Sequence, residues 1–114
     1  MQREGYERND MKIINFGSLN IDKVYEVADF VTAQETISAK TLNIFAGGKG
    51  LNQSIAAARA GAEVMHVGAI GSDGDFLLEL LKESGADISR IQKLDEESGH
   101  AIIQVTPEGQ NCII

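Results

Sequence analysis

The break at Ala46-Gly47-Gly48-Lys49-Gly50 constrains this chain more than any other feature. It is followed at once by the alanine-rich segment Leu51 to Ala60, which Gly61 closes. Alanine favours helix, and glycine just past a helix end takes the left-handed conformation that terminates it. The spacing therefore predicts a helix that begins near Gly50 and ends at Ala60, with side chains small enough to lie close on a sheet. A glycine-rich turn at a helix start has two consequences. Backbone N–H groups there have no helical partner, and no Cβ keeps a ligand away.

Strand patterns flank this helix. Lys12-Ile13-Ile14-Asn15-Phe16, stopped by Gly17-Ser18, reads as a buried strand. Val24 to Phe45 has no helical period and reads as two or three short strands of a flap or lid. Glu63 to Ile70 is the next strand, and Gly71-Ser72-Asp73 offers a turn with Asp73 as helix N-cap. Phe76, Leu77, Leu80 and Leu81 form a helical core stripe that Ser84-Gly85 ends. After Ile88 the texture turns to β. His100 to Thr106 and Asn111 to Ile114 read as a hairpin around Pro107 and Gly109. Strand, flap, helix, strand, helix and hairpin in that order predict an α/β fold with a parallel-strand sheet. Residues 1–10 read as a polar tail and residues 11–114 as the domain, with the lid at about 24–45. A parallel sheet of two or three strands keeps an open edge and a bare face. With the last residues Ile113-Ile114 inside an apolar strand, the expectation is the truncated front part of a longer protein.

Composition removes several classes of function. The 114 residues are about one domain in length. Hydrophobic residues at 43% and charged residues at 24% fit a folded chain, not a disordered one. Ten Lys and Arg against 17 Asp and Glu give a net charge of -7, a poor match for nucleic acid or an anionic membrane surface. No apolar run approaches the roughly 20 residues that span a bilayer. The single Cys112 permits no internal disulfide, so a cytoplasmic setting is expected. His66, His100 and Cys112 are too scattered for a structural zinc site.

The glycine cluster fails both common nucleotide patterns. A Walker A loop needs Ser or Thr after Gly-Lys, where Gly50 stands, and an earlier glycine where Asn43 stands. The dinucleotide pattern is met at Gly48 and Gly50 and fails at Gln53. What is left suits a neutral polyol. Asn20 and Asp22 follow the first strand, and ligands of open α/β sheets bind beyond the carboxyl ends of strands. A carboxylate, two amides (Asn20 and Asn52) and backbone donors match neighbouring hydroxyls, and the carboxylate would repel a phosphate. The plainer readings are that Gly47 and Gly48 form a tight turn, Asn20 and Asp22 are turn residues, and Lys49 is solvated. His66 reads as a packed side chain, His100 and Cys112 carry no chemistry, and Asp95-Glu96-Glu97 is a solvated turn.

Phe16-Gly17-Ser18-Leu19-Asn20-Ile21-Asp22, Gln34-Glu35-Thr36-Ile37, Ala46 to Gln53, Gly61-Ala62 and Val67 to Asp73 together resemble the N-terminal part of the ribokinase-like, phosphofructokinase-B-type carbohydrate kinases. Gly99 to Ile103 and Glu108 to Asn111 extend the likeness, which runs from about Met11 to Ile114. The Gly-Gly-Lys-Gly-x-Asn-Gln string, with Asn-x-Asp upstream, favours ribose-specific members over adenosine or fructose kinases. The resemblance implies a ribokinase-like fold with a β-lid that closes over the sugar. It implies phosphorylation of the D-ribose 5-hydroxyl with ATP, Mg²⁺ and a monovalent cation, and a homodimer paired through the lid. By matching motif, Asn20 and Asp22 bond ribose hydroxyls, Gly47, Gly48 and Asn52 hold the sugar's other side, and Lys49 sits near the transferred phosphoryl group. Segments 24–27 and 36–45 would be the lid strands. Relatives commonly have proline and glycine where Thr32 and Gln34 stand, which would alter the lid turn. Relatives are nearly three times as long, and their catalytic aspartate, anion hole, ATP pocket and cation site lie in the later portion. A short non-catalytic sugar-binding or dimerisation module, or an inactive truncated product, is the alternative.

Overall fold

The computed structural model describes residues 11–114; the polar tail read at 1–10 lies outside the described residues. Two sheets share the strands. β1 (Ile13–Phe16), β4 (Val64–Ile70) and β5 (Asp87–Lys93) form a parallel sheet in the order β1-β4-β5. β2 (Asn20–Glu26), β3 (Thr41–Gly47), β6 (His100–Val105) and β7 (Asn111–Ile113) form a mixed sheet in the order β3-β2-β6-β7. Helices α1 (Lys49–Arg59) and α2 (Asp75–Ser84) pack on each other and on the parallel sheet. The assembly is elongated, 65 × 37 × 19 Å.

The helices end where the sequence places them. Gly61 at φ 97° follows the Ala60 C-cap of α1, and Gly85 at φ 100° caps α2. Leu51, Ile55, Ile70, Leu77 and Leu81 form the core between helices and sheet, joined by Leu19 and Ile21 from the entry to the lid. Fully burying one such side chain contributes about 1.5–3 kcal/mol, so this layer supplies most of the hydrophobic stabilisation.

Several readings need correction. β1 is not buried: Ile14 is 65% and Phe16 84% exposed. Alternate strand residues face opposite sides, and both helices lie on the side that Asn15 faces. Phe76 is 38% exposed and stands outside the core stripe. β5 is a separate strand, because it adds to β4 as a third parallel member before the chain crosses to the second sheet. The lid strands occupy Asn20–Glu26 and Thr41–Gly47, not 24–27 and 36–45, and the β6–β7 hairpin completes their sheet through parallel pairing of β6 with β2. Gln34 holds φ 66°, so the lid turn keeps a left-handed residue without a glycine. Thr32 closes that turn by donating through its amide and hydroxyl to the Glu35 carboxylate.

Candidate functional site

β2 carries the first two candidates. Asn20 and Asp22 are two residues apart on a strand, so their side chains leave the same face. Across the antiparallel ladder Asn20 pairs with Gly47 and Asp22 with Phe45. A Cβ on Gly47 would stand 2.5 Å from Asp22 Oδ1, so the carboxylate lies directly over the bare backbone of β3. On the other side a Cβ on Gly99 would stand 2.8 Å from Asn20 Oδ1. Two glycines thus make the floor on which an amide and a carboxylate rest, both half-buried. Phe45 shares this face of the sheet. So do Ala101 and Ile103, opposite Asp22 and Val24 on β6, and Ile113 opposite Ile103 on β7. Polar groups for hydroxyls therefore adjoin apolar surface for the carbon face of a ring.

The glycine turn joins that floor to α1. Gly48 is the N-cap of α1 at φ 103°, and a Cβ there would stand 2.7 Å from Ser18 O. Leu51 N donates to the same Ser18 O at 3.0 Å. Gly50 crosses Gly17 so closely that a Cβ on Gly50 would lie 2.5 Å from Ser18 N and 2.6 Å from the Gly17 backbone. The crossing requires glycine at position 50 because the neighbouring atoms are backbone and cannot swing aside. Lys49 and Asn52 stand three positions apart in the first turn of α1, both exposed, and neighbours at that spacing share a helix side. The ladder thus brings Asn20, Asp22 and Gly47 together, and Gly48, Lys49 and Asn52 follow on the adjoining turn.

Asp73 does not cap α2. The N-cap is Gly74, with no side-chain cap. Asp73 Oδ1 instead accepts from Ser98 N at 2.8 Å, while Ser98 Oγ accepts from Gly71 N at 2.8 Å and Ser72 N donates to Glu96 O at 2.8 Å. The Ser98 amide, then the Ser98 hydroxyl, hold the Asp73 carboxyl below the usual carboxylate range. This fastens the 94–99 linker, which carries the chain from β5 into the lid sheet, to the β4–α2 turn. His66 is a packed side chain, as its strand position suggests, and is fully buried. Cys112 is exposed. No cluster of three metal-ligating side chains occurs among the described residues, and no described helix is long and apolar enough to cross a membrane.

Sequence reasoning missed Gly99 and the apolar face of Phe45, Ala101, Ile103 and Ile113. Their alternation along β3 and β6 was available as a signal. Which face they share with Asp22 depends on the long-range β2–β6 register, and local sequence carries no information on it.

Comparison with known proteins bears on the whole domain. The family model described as pfkB family carbohydrate kinase matches residues 10–114. A ribokinase of Staphylococcus aureus is 41% identical over 106 residues, which are 90% of this chain and 35% of that protein. Ribokinase from Cryptococcus neoformans, solved in complex with ADP, superposes with a TM-score of 0.84 at 40% identity over 90% of this chain and 33% of that one. Arabidopsis thaliana ribokinase, solved with ribose and ATP, superposes with a TM-score of 0.73 at 33% identity over 90% of this chain and 34% of that one. The chain spans 33–35% of the length of the ribokinases of Haemophilus influenzae and Staphylococcus aureus. With a family match across nearly all its residues and a ribokinase-like arrangement of strands and helices, the chain belongs to the pfkB carbohydrate kinases and corresponds to the N-terminal portion of ribokinases.

Proposed function

We propose that this chain supplies the N-terminal half of a sugar site and its lid, in a protein that phosphorylates D-ribose to ribose 5-phosphate with ATP. The observation that carries the reading is the Asp22 carboxylate lying over Gly47 beside Asn20 over Gly99. A carboxylate accepts from two hydroxyls at once, and hydrogen bonds to a charged group are about twice as strong as neutral ones. An amide both donates and accepts, so Asn20 bonds a hydroxyl in either sense. Gly47 leaves room for the Asp22 carboxylate and Gly48 for the Ser18 carbonyl, Asn52 holds the sugar's far side, and Lys49 offers positive charge near the transferred group. Phosphoryl transfer is mainly positioning and charge stabilisation. The groups described here position the acceptor sugar. ATP, Mg²⁺ and a monovalent cation, which the resemblance implies, are assigned to portions that follow, since the glycine cluster fits neither common nucleotide pattern. The setting is cytoplasmic.

Homodimerisation through the lid belongs to the same reading. The lid face opposite Asp22 carries Ile44 and Ile102 on either side of Lys23, and Leu42 beside Tyr25. Leu42 and Ile44 are 49% and 47% exposed. A shallow groove of about 290 Å³ lies on it between Tyr25, Val31, Ile37 and Ile102.

The test is made on protein from its natural source. Its mass is measured first, then its ATP-dependent conversion of D-ribose, with ribose binding by calorimetry. A mass near three times 12.3 kDa with ribose 5-phosphate formed supports the kinase. A 12.3 kDa species that binds ribose without turnover favours a non-catalytic sugar-binding module. No ribose binding overturns both.

A further inference from the structure

Beneath the Gly17–Gly50 crossing runs a line of buried and half-buried polar groups that the sugar site does not itself use. Asn15 Nδ2 donates to Gly50 O and to Ser54 Oγ, each at 2.9 Å. Ser54 Oγ lies 2.7 Å from His66 Nδ1, and His66 Nε2 lies 3.0 Å from Gly17 O. Ser54 is 1% exposed and His66 0%.

The direction of every bond follows from the two ends. A carbonyl oxygen only accepts, so His66 Nε2 carries the hydrogen given to Gly17 O, and Asn15 turns its NH₂ toward Gly50 O. Asn15 also gives a hydrogen to Ser54 Oγ, which leaves the serine hydrogen free for His66 Nδ1. Asn15 Nδ2, the Ser54 hydroxyl and both His66 ring nitrogens each have a partner, and a network bonded in this way rigidifies what it joins. What it joins is the end of β1, the first turns of α1 and the middle of β4, where Asn15 and His66 are ladder partners. Apolar residues facing a helix would pack this contact without fixing how far α1 slides along β1. Directed bonds to Gly17 O and Gly50 O fix it from both sides of the crossing.

We infer that Asn15, Ser54 and His66 are positioning residues for the sugar site: their hydrogen bonds hold the Gly48–Asn52 turn at the correct height over Ser18, and hence against Asn20 and Asp22. The inference rests on the sugar reading for its functional half. Its structural half stands alone. Segment 17–19 leads straight into Asn20, and Gly47 leads straight into α1, so a slip at the crossing moves the two walls of the site against each other.

Three variants test it in the protein at the length its source makes. Ser54→Ala leaves the His66 Nδ1 acceptor buried without a donor. His66→Gln keeps an N–H within reach of Gly17 O and loses the Ser54 bond. Hydrogen exchange is followed at the Leu51 amide, which donates to Ser18 O, with the α2 amides of Leu80 and Leu81 as remote controls. Ribose affinity is followed by calorimetry. Ser54→Ala is expected to speed exchange at Leu51 about tenfold more than in α2 and to weaken ribose binding about tenfold, the scale of one buried hydrogen bond. His66→Gln is expected to lie between Ser54→Ala and the parent, and Ser54→Thr, which restores the hydroxyl, to recover affinity. Uniformly faster exchange, or none at Leu51, overturns the clamp. Local loosening with unchanged ribose affinity overturns the positioning role and leaves a structural bond. A parent protein that binds no ribose defeats the sugar reading instead, and the exchange data then decide the clamp by themselves.

Discussion

The two sheets of this molecule are stabilised in different ways. The parallel sheet has one face covered by α1 and α2, and Leu51, Leu77 and Leu81 are entirely withdrawn from water there. In the lid sheet, the first five residues of β3 are all exposed, and cohesion comes from the β2–β3, β2–β6 and β6–β7 ladders. A layer held by side-chain packing is rigid and sensitive to volume. A ladder with water on both faces opens at lower cost. The candidate site sits on the seam, with Asn20, Asp22 and Gly47 on the lid side and Gly48, Lys49 and Asn52 on the helix side. Groups on a packed helical layer thus adjoin groups on a more exposed sheet.

The contrast is broken most directly by cutting one leucine from each region. Leu77→Ala is expected to cost about 3 kcal/mol of unfolding free energy through lost transfer and a residual cavity. Leu42→Ala, on the half-exposed lid face, is expected to cost less than about 0.5 kcal/mol within a single protomer. Urea titration followed by circular dichroism measures both. Equal losses would mean that the lid is packed as tightly as the helical layer, and the distinction would fall.

The seam itself is tested by Asp22→Ala and Gly47→Ala. Removing a charged acceptor of two hydroxyls is expected to weaken ribose binding about a hundredfold, with the unfolding midpoint unchanged. Gly47→Ala sets a methyl group where the carboxylate now rests. The carboxylate is the free end of a flexible side chain and can move, so a smaller loss of about tenfold is expected. Calorimetry with ribose reads both, and unaltered affinity in Asp22→Ala would remove Asp22 from the site.

The lid turn offers a gain instead of a loss. Gln34 carries a side chain at φ 66°, a conformation that costs a non-glycine residue roughly 1 kcal/mol. Gln34→Gly relieves that strain and is expected to slow exchange at the Glu35 amide, which donates to Thr32 O. Part of the gain is offset by the freedom glycine adds to the unfolded chain. Faster exchange at Glu35 would show that the entropic term wins.

How legible these regions were in the sequence follows the same division. The helices could be read because their signals are local: an alanine run before Gly61, leucines at helical spacing before Gly85. The glycine turn and Asn20 and Asp22 stood out by residue type. The lid strands were misplaced because their bounds are set by pairing, with Asn20 opposite Gly47 and Glu26 opposite Thr41, and not by propensity. The β2–β6 pairing lies between residues far apart in the chain, so nothing in either strand announces it. The exposure of Phe16 escaped notice for a related reason. An apolar run predicts a strand but does not say how many of its faces will be covered. Asp73 was misassigned because a residue before a helix is an N-cap by habit, whereas its carboxylate was claimed by a distant amide.

That amide gives the smallest effect and the finest test of the seam. Asp73 holds Ser98 N and so ties the linker into the lid to the rigid layer. Its carboxyl sits below the usual carboxylate range because the charged form accepts those bonds. A depressed folded-state pKa means that the unfolded chain binds the proton first. The contribution is therefore fully present above the ordinary range near pH 4 and fades as pH falls through the lower, folded value. Asp73→Asn removes the charge at every pH. Exchange at the Ser98 amide should then be faster than in the parent at pH 5–7, and the two should converge as the parent carboxylate is protonated. Core amides in α2 should keep their protection in both proteins. If the protection of the Ser98 amide in the parent does not change across that acid limb, Asp73 does not hold the 94–99 linker to the rigid layer.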